Sequence, residues 1–129
     1  KMTKIDFQPM PKRFMVWDRY EHRFHRQCSE SGYSNVYTFF ELEHLFNGAY
    51  DDREVMLIQS TNLFDKDDKE IFEGSIVDYD EWGGWRGVVV FSDGYFVLKD
   101  KEGNEAFLKG APHQKLLGHF LSNPYLLEV

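Results

Sequence analysis

The chain has one cysteine, Cys28, among 129 residues. No internal disulfide can brace it, and a reducing cytoplasm is its natural compartment. Its apolar runs fall well short of the about 18 residues needed to span a bilayer, and it has no secretory h-region. A Gly-x-Ser-x-Gly elbow is missing, as are the glycine-rich phosphate loops of Walker or dinucleotide type, so no nucleophile or nucleotide site announces itself. These absences exclude a membrane protein, argue against an enzyme and give no reason to expect a cofactor. Lys1 precedes Met2, and the native start is expected at Met2.

Apolar residues make up 42% and aromatics 17% of the chain, enough to build a buried core. A length of 129 residues suits one domain, or two small lobes sharing a core. Twelve Phe and seven Tyr exceed what a small monomer readily hides, which favours a homo-oligomer or a partner surface. The net charge of −7 is unevenly spread: residues 1–26 carry a local +4, and residues 65–81 a local −6. Such an acidic middle repels phosphate, so nucleic acid is disfavoured unless the basic N-terminal segment forms its own patch.

Along the chain, residues 2–11 read as an extended lead-in with two prolines. Residues 13–18 form a short β-like run, and residues 20–26 are placed to return as its hairpin arm. Residues 29–35 are a loop by composition. Val36, Phe39, Phe40 and Phe46 fit an amphipathic helix over residues 36–46 with Asn35 as its cap, although Val-Tyr-Thr-Phe-Phe leans toward strand. Residues 55–59 read as a buried strand. Beyond Glu73 the pattern is β throughout, with strands at 76–79, 87–91, 95–99 and 105–109. Ser92-Asp93-Gly94 signals a type I′ hairpin, because Asp-Gly tolerates positive φ. Short strands joined by tight turns suggest a small open barrel of SH3-like kind. The expected fold class is therefore mainly β (α+β). Residues 1–54 form an N-terminal α+β part with one short helix, residues 55–129 an SH3-like open β-barrel, and the two together one compact unit.

Residues 59–77, from Gln-Ser-Thr-Asn-Leu-Phe-Asp-Lys to Glu-Gly-Ser-Ile-Val, are the most informative stretch. The segment resembles the signature Gln-x-Thr-Gly-Leu-x-Asp-Lys-Asn-Gly-Lys-Glu-Ile-Tyr-Glu-Gly-Asp-Ile-Val of the YopX family of phage and prophage proteins. Phe14, Trp17 and Asp18 match that family's opening, with Met15 where Arg is usual. Gly118, Asn123, Pro124, Leu126 and Leu127 match its ending, with His119 in place of Asn. Asn62 replaces a Gly, a mild change because Asn is the best non-glycine for a left-handed backbone. Ser75 replaces an Asp and removes a carboxylate beside a turn. The resemblance implies an SH3-like C-terminal unit on an N-terminal α+β part, in the cytoplasm of a bacterial host. It implies no activity, since the family has no established one.

Several constellations were weighed for chemistry. His22-x-x-His25-x-x-Cys28, with Glu30, has ligand-like spacing, but no Cys-x-x-Cys supports it and no metal is expected. The acidic turn Asp65-Lys-Asp67-Asp68-Lys69-Glu70 fails as a calcium loop, because Lys69, Glu70 and Ile76 fall where an oxygen ligand, Gly and Glu are required. Glu70 and Glu73 are the kind of acid pair any acidic loop offers. Tyr79, Trp82, Trp85, Tyr95 and Phe96 instead gather on the hairpins, with Asp78, Asp80, Glu81 and Asp93 around them and Arg86 opposing. An acid-rimmed aromatic face suits a protein partner better than a phosphate backbone. The expectation is a non-catalytic module binding a host or phage protein through Tyr79, Asp80, Glu81, Trp82, Trp85 and Tyr95. The alternative is nucleic-acid binding through Lys12, Arg13, Arg19, Arg23 and Arg26.

Overall fold

A computed structural model describes residues 4–10, 12–29, 32–46, 54–79 and 84–128. The fold is mainly β with one short helix. β1 (Arg13–Asp18) is the axis of the first sheet, because its run RFMVWD buries Val16 and Trp17. β2 (Arg23–Phe24) pairs with its C-terminal end, and β6 (Val55–Phe64) runs antiparallel along its length from Phe14↔Gln59 to Asp18↔Val55. β7 (Glu70–Phe72) adds to the far half of β6. The division expected after residue 54 thus falls at the start of a strand that belongs to the same sheet as β1.

The loop expected at residues 29–35 is partly strand: β3 (Gln27–Ser29) pairs antiparallel with β4 (Gly32–Ser34), and Gly32 has φ 113°. Backbone pairing at a tight turn needs no apolar alternation, so composition alone did not reveal it. The helix also starts later than Asn35 suggested. β5 (Tyr37–Thr38) first pairs with Arg13 and Phe14, and α1 (Phe39–Phe46) follows. The mixed strand and helix signals at 36–46 were both genuine. Thr38 is the cap: its Oγ1 accepts the Glu41 N–H at 3.3 Å, and Glu41 Oε1 accepts the Thr38 N–H at 2.9 Å, a reciprocal capping box. Leu42 points inward with Leu45 and Phe46, covering Val16, Tyr37 and Val55.

The second sheet has the order β11-β10-β9-β8-β12, formed by β8 (Ser75–Tyr79), β9 (Trp85–Ser92), β10 (Tyr95–Lys99), β11 (Glu105–Phe107) and β12 (Gln114–His119). The expected hairpin at residues 92–95 is present, with Asp93 at φ 52° and Gly94 at φ 90°, both central residues left-handed as a type I′ turn requires. Ile71, Val77, Val89 and Leu98 fill the concave side. Trp17, Ile58 and Phe72 form a third cluster that also takes in Phe24 and Leu121, so residues near both sheets share it. A 3₁₀ turn at Pro124–Leu127 closes the chain, and the Leu126 carbonyl accepts from Arg86 at 3.0 Å. No helix among the described residues is long and apolar enough to cross a membrane.

Candidate functional site

The signature segment is built from its backbone outward. Asn62 sits at φ 63° within an irregularity of β6–β7 pairing, the left-handed position its side chain type tolerates. Asp65 is 1% exposed. Its Oδ1 accepts the N–H groups of Asp67 (2.9 Å) and Lys69 (2.8 Å), and its Oδ2 accepts that of Leu116 (2.8 Å), 51 residues away. Burial alone would raise its pKa, but these three donors outweigh that and hold it below the usual carboxylate value. Glu70 accepts from Arg13 Nε at 3.0 Å and from Ser60 Oγ at 2.6 Å. Ser75 Oγ accepts the Phe72 N–H at 3.0 Å, so the residue that replaces an Asp still serves the turn.

His119 meets this segment from the other end of the chain. Gly74, at φ 85°, lies so close that a Cβ there would stand 2.5 Å from the imidazole. Nδ1 of His119 accepts the Leu121 N–H at 3.1 Å, which leaves Nε2 to carry the proton and donate to the Glu73 carbonyl at 2.7 Å. Burial lowers the pKa of His119, and the bond to Glu73 only partly offsets this. The ring also meets Phe24 edge-on at 5.0 Å. Thus Asp65, Glu70, Ser75 and the Glu73 carbonyl of the signature are committed to joining strands and turns.

The aromatic face is assembled differently. Tyr79 and Trp85 are register partners where β8 ends and β9 begins, with rings edge to face at 6.2 Å. Gly87 gives the indole room, since a Cβ there would sit 2.9 Å from Trp85 Cη2. Trp85 Nε1 donates to Asp100 Oδ2 at 3.1 Å, and Asp100 also accepts from the backbone of Glu102 and Asn104. Burial opposes ionisation of Asp100, but these donors, led by Asn104, hold its pKa below the ordinary value. Tyr79, Trp85, Asn104, Glu105 and Ala106 then enclose a cleft of about 330 Å³. Lys109 Nζ lies 5.6 Å from the Tyr79 ring centre, and Lys99 pairs with Glu105 at 3.5 Å.

Of the sequence-expected partner residues, the structure brings together Tyr79 and Trp85. Asp80, Glu81 and Trp82 lie outside the described residues. Tyr95 pairs with Ser92 at the far end of the hairpin, so strand alternation turns it to the opposite face from Trp85. Sequence reasoning passed over Asp100, Glu105 and Ala106; the Asp-x-x-x-Asn turn at 100–104 was the available signal. The basic set does not converge. Arg13 is bound to Glu70, Arg23 pairs with Glu21, and Arg13 and Arg19 stand about 20 Å apart along β1. Lys12 adjoins Arg13, while Arg26 follows β2. His22 sits in the β1–β2 turn at φ 55°, and His25 is buried with Nε2 3.1 Å from Asp18 Oδ2.

Comparison with known proteins adds the family and little chemistry. A search of curated proteins found no match. Among solved structures, the crystal structure of protein EF1440 from Enterococcus faecalis is similar with a TM-score of 0.53 and 22% identity, covering 92% of this chain and 99% of that one. That likeness concerns the fold alone. The family described as YopX protein matches residues 13–128, nearly the whole chain with both its sheets. The chain belongs to the YopX family.

Proposed function

We propose that the protein is a non-catalytic protein-binding module, a phage or prophage accessory protein that acts on a host or phage protein in the bacterial cytoplasm. The observation that carries this reading is the Tyr79–Trp85 cleft. Two rings and Ala106 offer apolar surface, with Asn104 and Glu105 at the rim, where the Glu105 carboxylate is shared with Lys99. A partner side chain with an apolar stem and a cationic head, Lys or Arg, fits that chemistry. Asp65, Glu70 and Ser75 of the signature segment are held by backbone and side-chain partners, whereas this cleft leaves aromatic surface open to a partner. Trp82, with Asp80 and Glu81, extends the same proposed surface by sequence position.

The second sheet supports an SH3-like reading of the C-terminal part. Its strand order places the last strand, β12, beside the first, β8, of a four-strand meander, which curls the sheet toward a small open barrel. On this reading the barrel begins at β8, and residues before it supply the α+β part.

The test is capture from bacterial lysate by tagged protein, with and without nuclease. A stoichiometric protein that survives nuclease and is lost with Glu105→Lys and Trp85→Phe supports the module and its site. Capture that vanishes with nuclease transfers the case to nucleic acid and to Lys12, Arg13, Arg19, Arg23 and Arg26. Capture unchanged in both folded variants removes the cleft from the site.

A further inference from the structure

Away from the Tyr79–Trp85 cleft, two strands end with an open edge facing one apolar groove. The Arg19 N–H donates to the Glu54 carbonyl at 2.7 Å, which sets the alternation on β6: residues 54, 56 and 58 turn their backbone groups to β1, and residues 55, 57 and 59 turn away. The carbonyl of Gln59 accepts from the Glu73 N–H. Beyond that point the chain leaves at Gly74 to begin β8, and no strand among the described residues pairs with Leu57 on this side. On β9 the closing pair Ser92↔Tyr95 turns residues 88, 90 and 92 to β10, leaving 89 and 91 to face away. Val89 is met by the Gly74 N–H at 2.7 Å, whereas Phe91 has no strand partner there among the described residues. Between them lies a groove of about 420 Å³, walled by residues 56–58 and 88–91 and floored by Gly74 and Leu121. Leu57, Phe91 and Phe120 line it and remain 45%, 58% and 45% exposed.

The same chain carries a segment with the opposite deficit. Residues 4–10 are all exposed, and no backbone hydrogen bond ties them to the rest of the described residues. Ile5 and Phe7, 83% and 81% exposed, stand two apart, so in extended form they share one face. Charge is complementary as well: Lys4 and Lys12 flank the arm's single acid, Asp6, and Glu73 is the acid that lines the groove. The arm leads into β1, which fills the other edge of β6; its Met10 lies beside Gln59 and Phe91 of its own chain, while Ile5 and Phe7 stay exposed and leave the groove uncovered.

We propose that residues 4–10 of one molecule add as a strand to the open edge of β6 in a second copy, seating Ile5 and Phe7 in the groove between β6 and β9. Strand addition satisfies the unpaired backbone at Leu57 and covers the exposed apolar walls together. Reciprocal exchange closes a two-fold dimer, since each copy holds one arm and one groove. This interface is separate from the Tyr79–Trp85 cleft, and the two proposals fail independently.

Sedimentation of the full chain tests it. The wild type is expected to self-associate, and Ile5→Asp with Phe7→Asp is expected to weaken association at least about tenfold. Thermal melting of that variant should match the wild-type monomer, because Ile5 and Phe7 are 83% and 81% exposed in their own chain. A second measurement fixes the geometry: in a Cys28→Ser background, Phe7→Cys protein is mixed with Leu57→Cys protein under mild oxidation. A mixed disulfide between the two supports the exchange. A wild type that stays monomeric, an association that survives the arm variant, or a failure of the mixed disulfide overturns it. So does a Phe7→Cys, Leu57→Cys double variant that closes only within one chain.

Discussion

The signature segment and the Tyr79–Trp85 face use their polar groups in opposite ways. In the segment, Asp65 and Glu70 are matched to donors from distant strands, and Thr61 and Ser75 to backbone groups of Ile71 and Phe72 within it. At the aromatic face, Asp100 anchors the indole, but Glu105 and both rings border an open cleft. A short acidic motif that looks like a reactive loop proves to be a joint. Buried polar groups with complete partners specify architecture, and partly open ones are left for recognition.

The sharpest way to break this contrast is Asp65→Ala. It strips three backbone N–H groups of their acceptor, one of them on β12, and is expected to cost about 3 kcal/mol or more in denaturant unfolding. A loss below about 1 kcal/mol would mean the turn is no joint. Next comes pH. The folded pKa of His119 lies below its ordinary 6.5, so the unfolded chain takes up a proton first as pH falls. Its contribution is whole above about 6.5 and declines as pH drops through that value toward the lower folded one. The Asp65 contribution persists to lower pH, present above 3.8 and lost through its depressed folded value. Comparing urea midpoints at about pH 7.5 and about pH 5 should show the decline, and His119→Asn should flatten it. The smallest effect on stability belongs to Glu105→Lys, within about 0.5 kcal/mol, because this side chain is exposed at an edge strand. A large loss there would erase the distinction between joint and face.

Much of the fold was legible locally. The 92–95 hairpin followed from Asp-Gly, and Asn62 took the left-handed backbone that its replacement of a glycine required. β1, β6 and β10 followed from their apolar runs. The hairpin at residues 27–34 was not legible, because its strands are too short for a pattern. Half of the proposed site was legible too: Tyr79 and Trp85 flank one turn and are register partners, but Tyr95 shares only composition with them.

Sequence alone determined the local features of this protein: the 92–95 turn, its longer apolar strands, the start of α1 to within three residues, and the family to which the signature belongs. These depend on neighbours within a few positions, where glycine placement, capping and alternation act. Tertiary structure decided the fate of each polar group. Asp65 is a joint because Leu116 arrives from 51 residues away, and His119 has a lowered pKa because burial outweighs its bond to the Glu73 carbonyl. It also decided that β6 at Leu57 and β9 at Phe91 have no strand partner among the described residues on the side of one groove, since their partner strands β7 and β8 meet at Gly74. Such outcomes depend on which distant segments meet, and no local pattern carries that information.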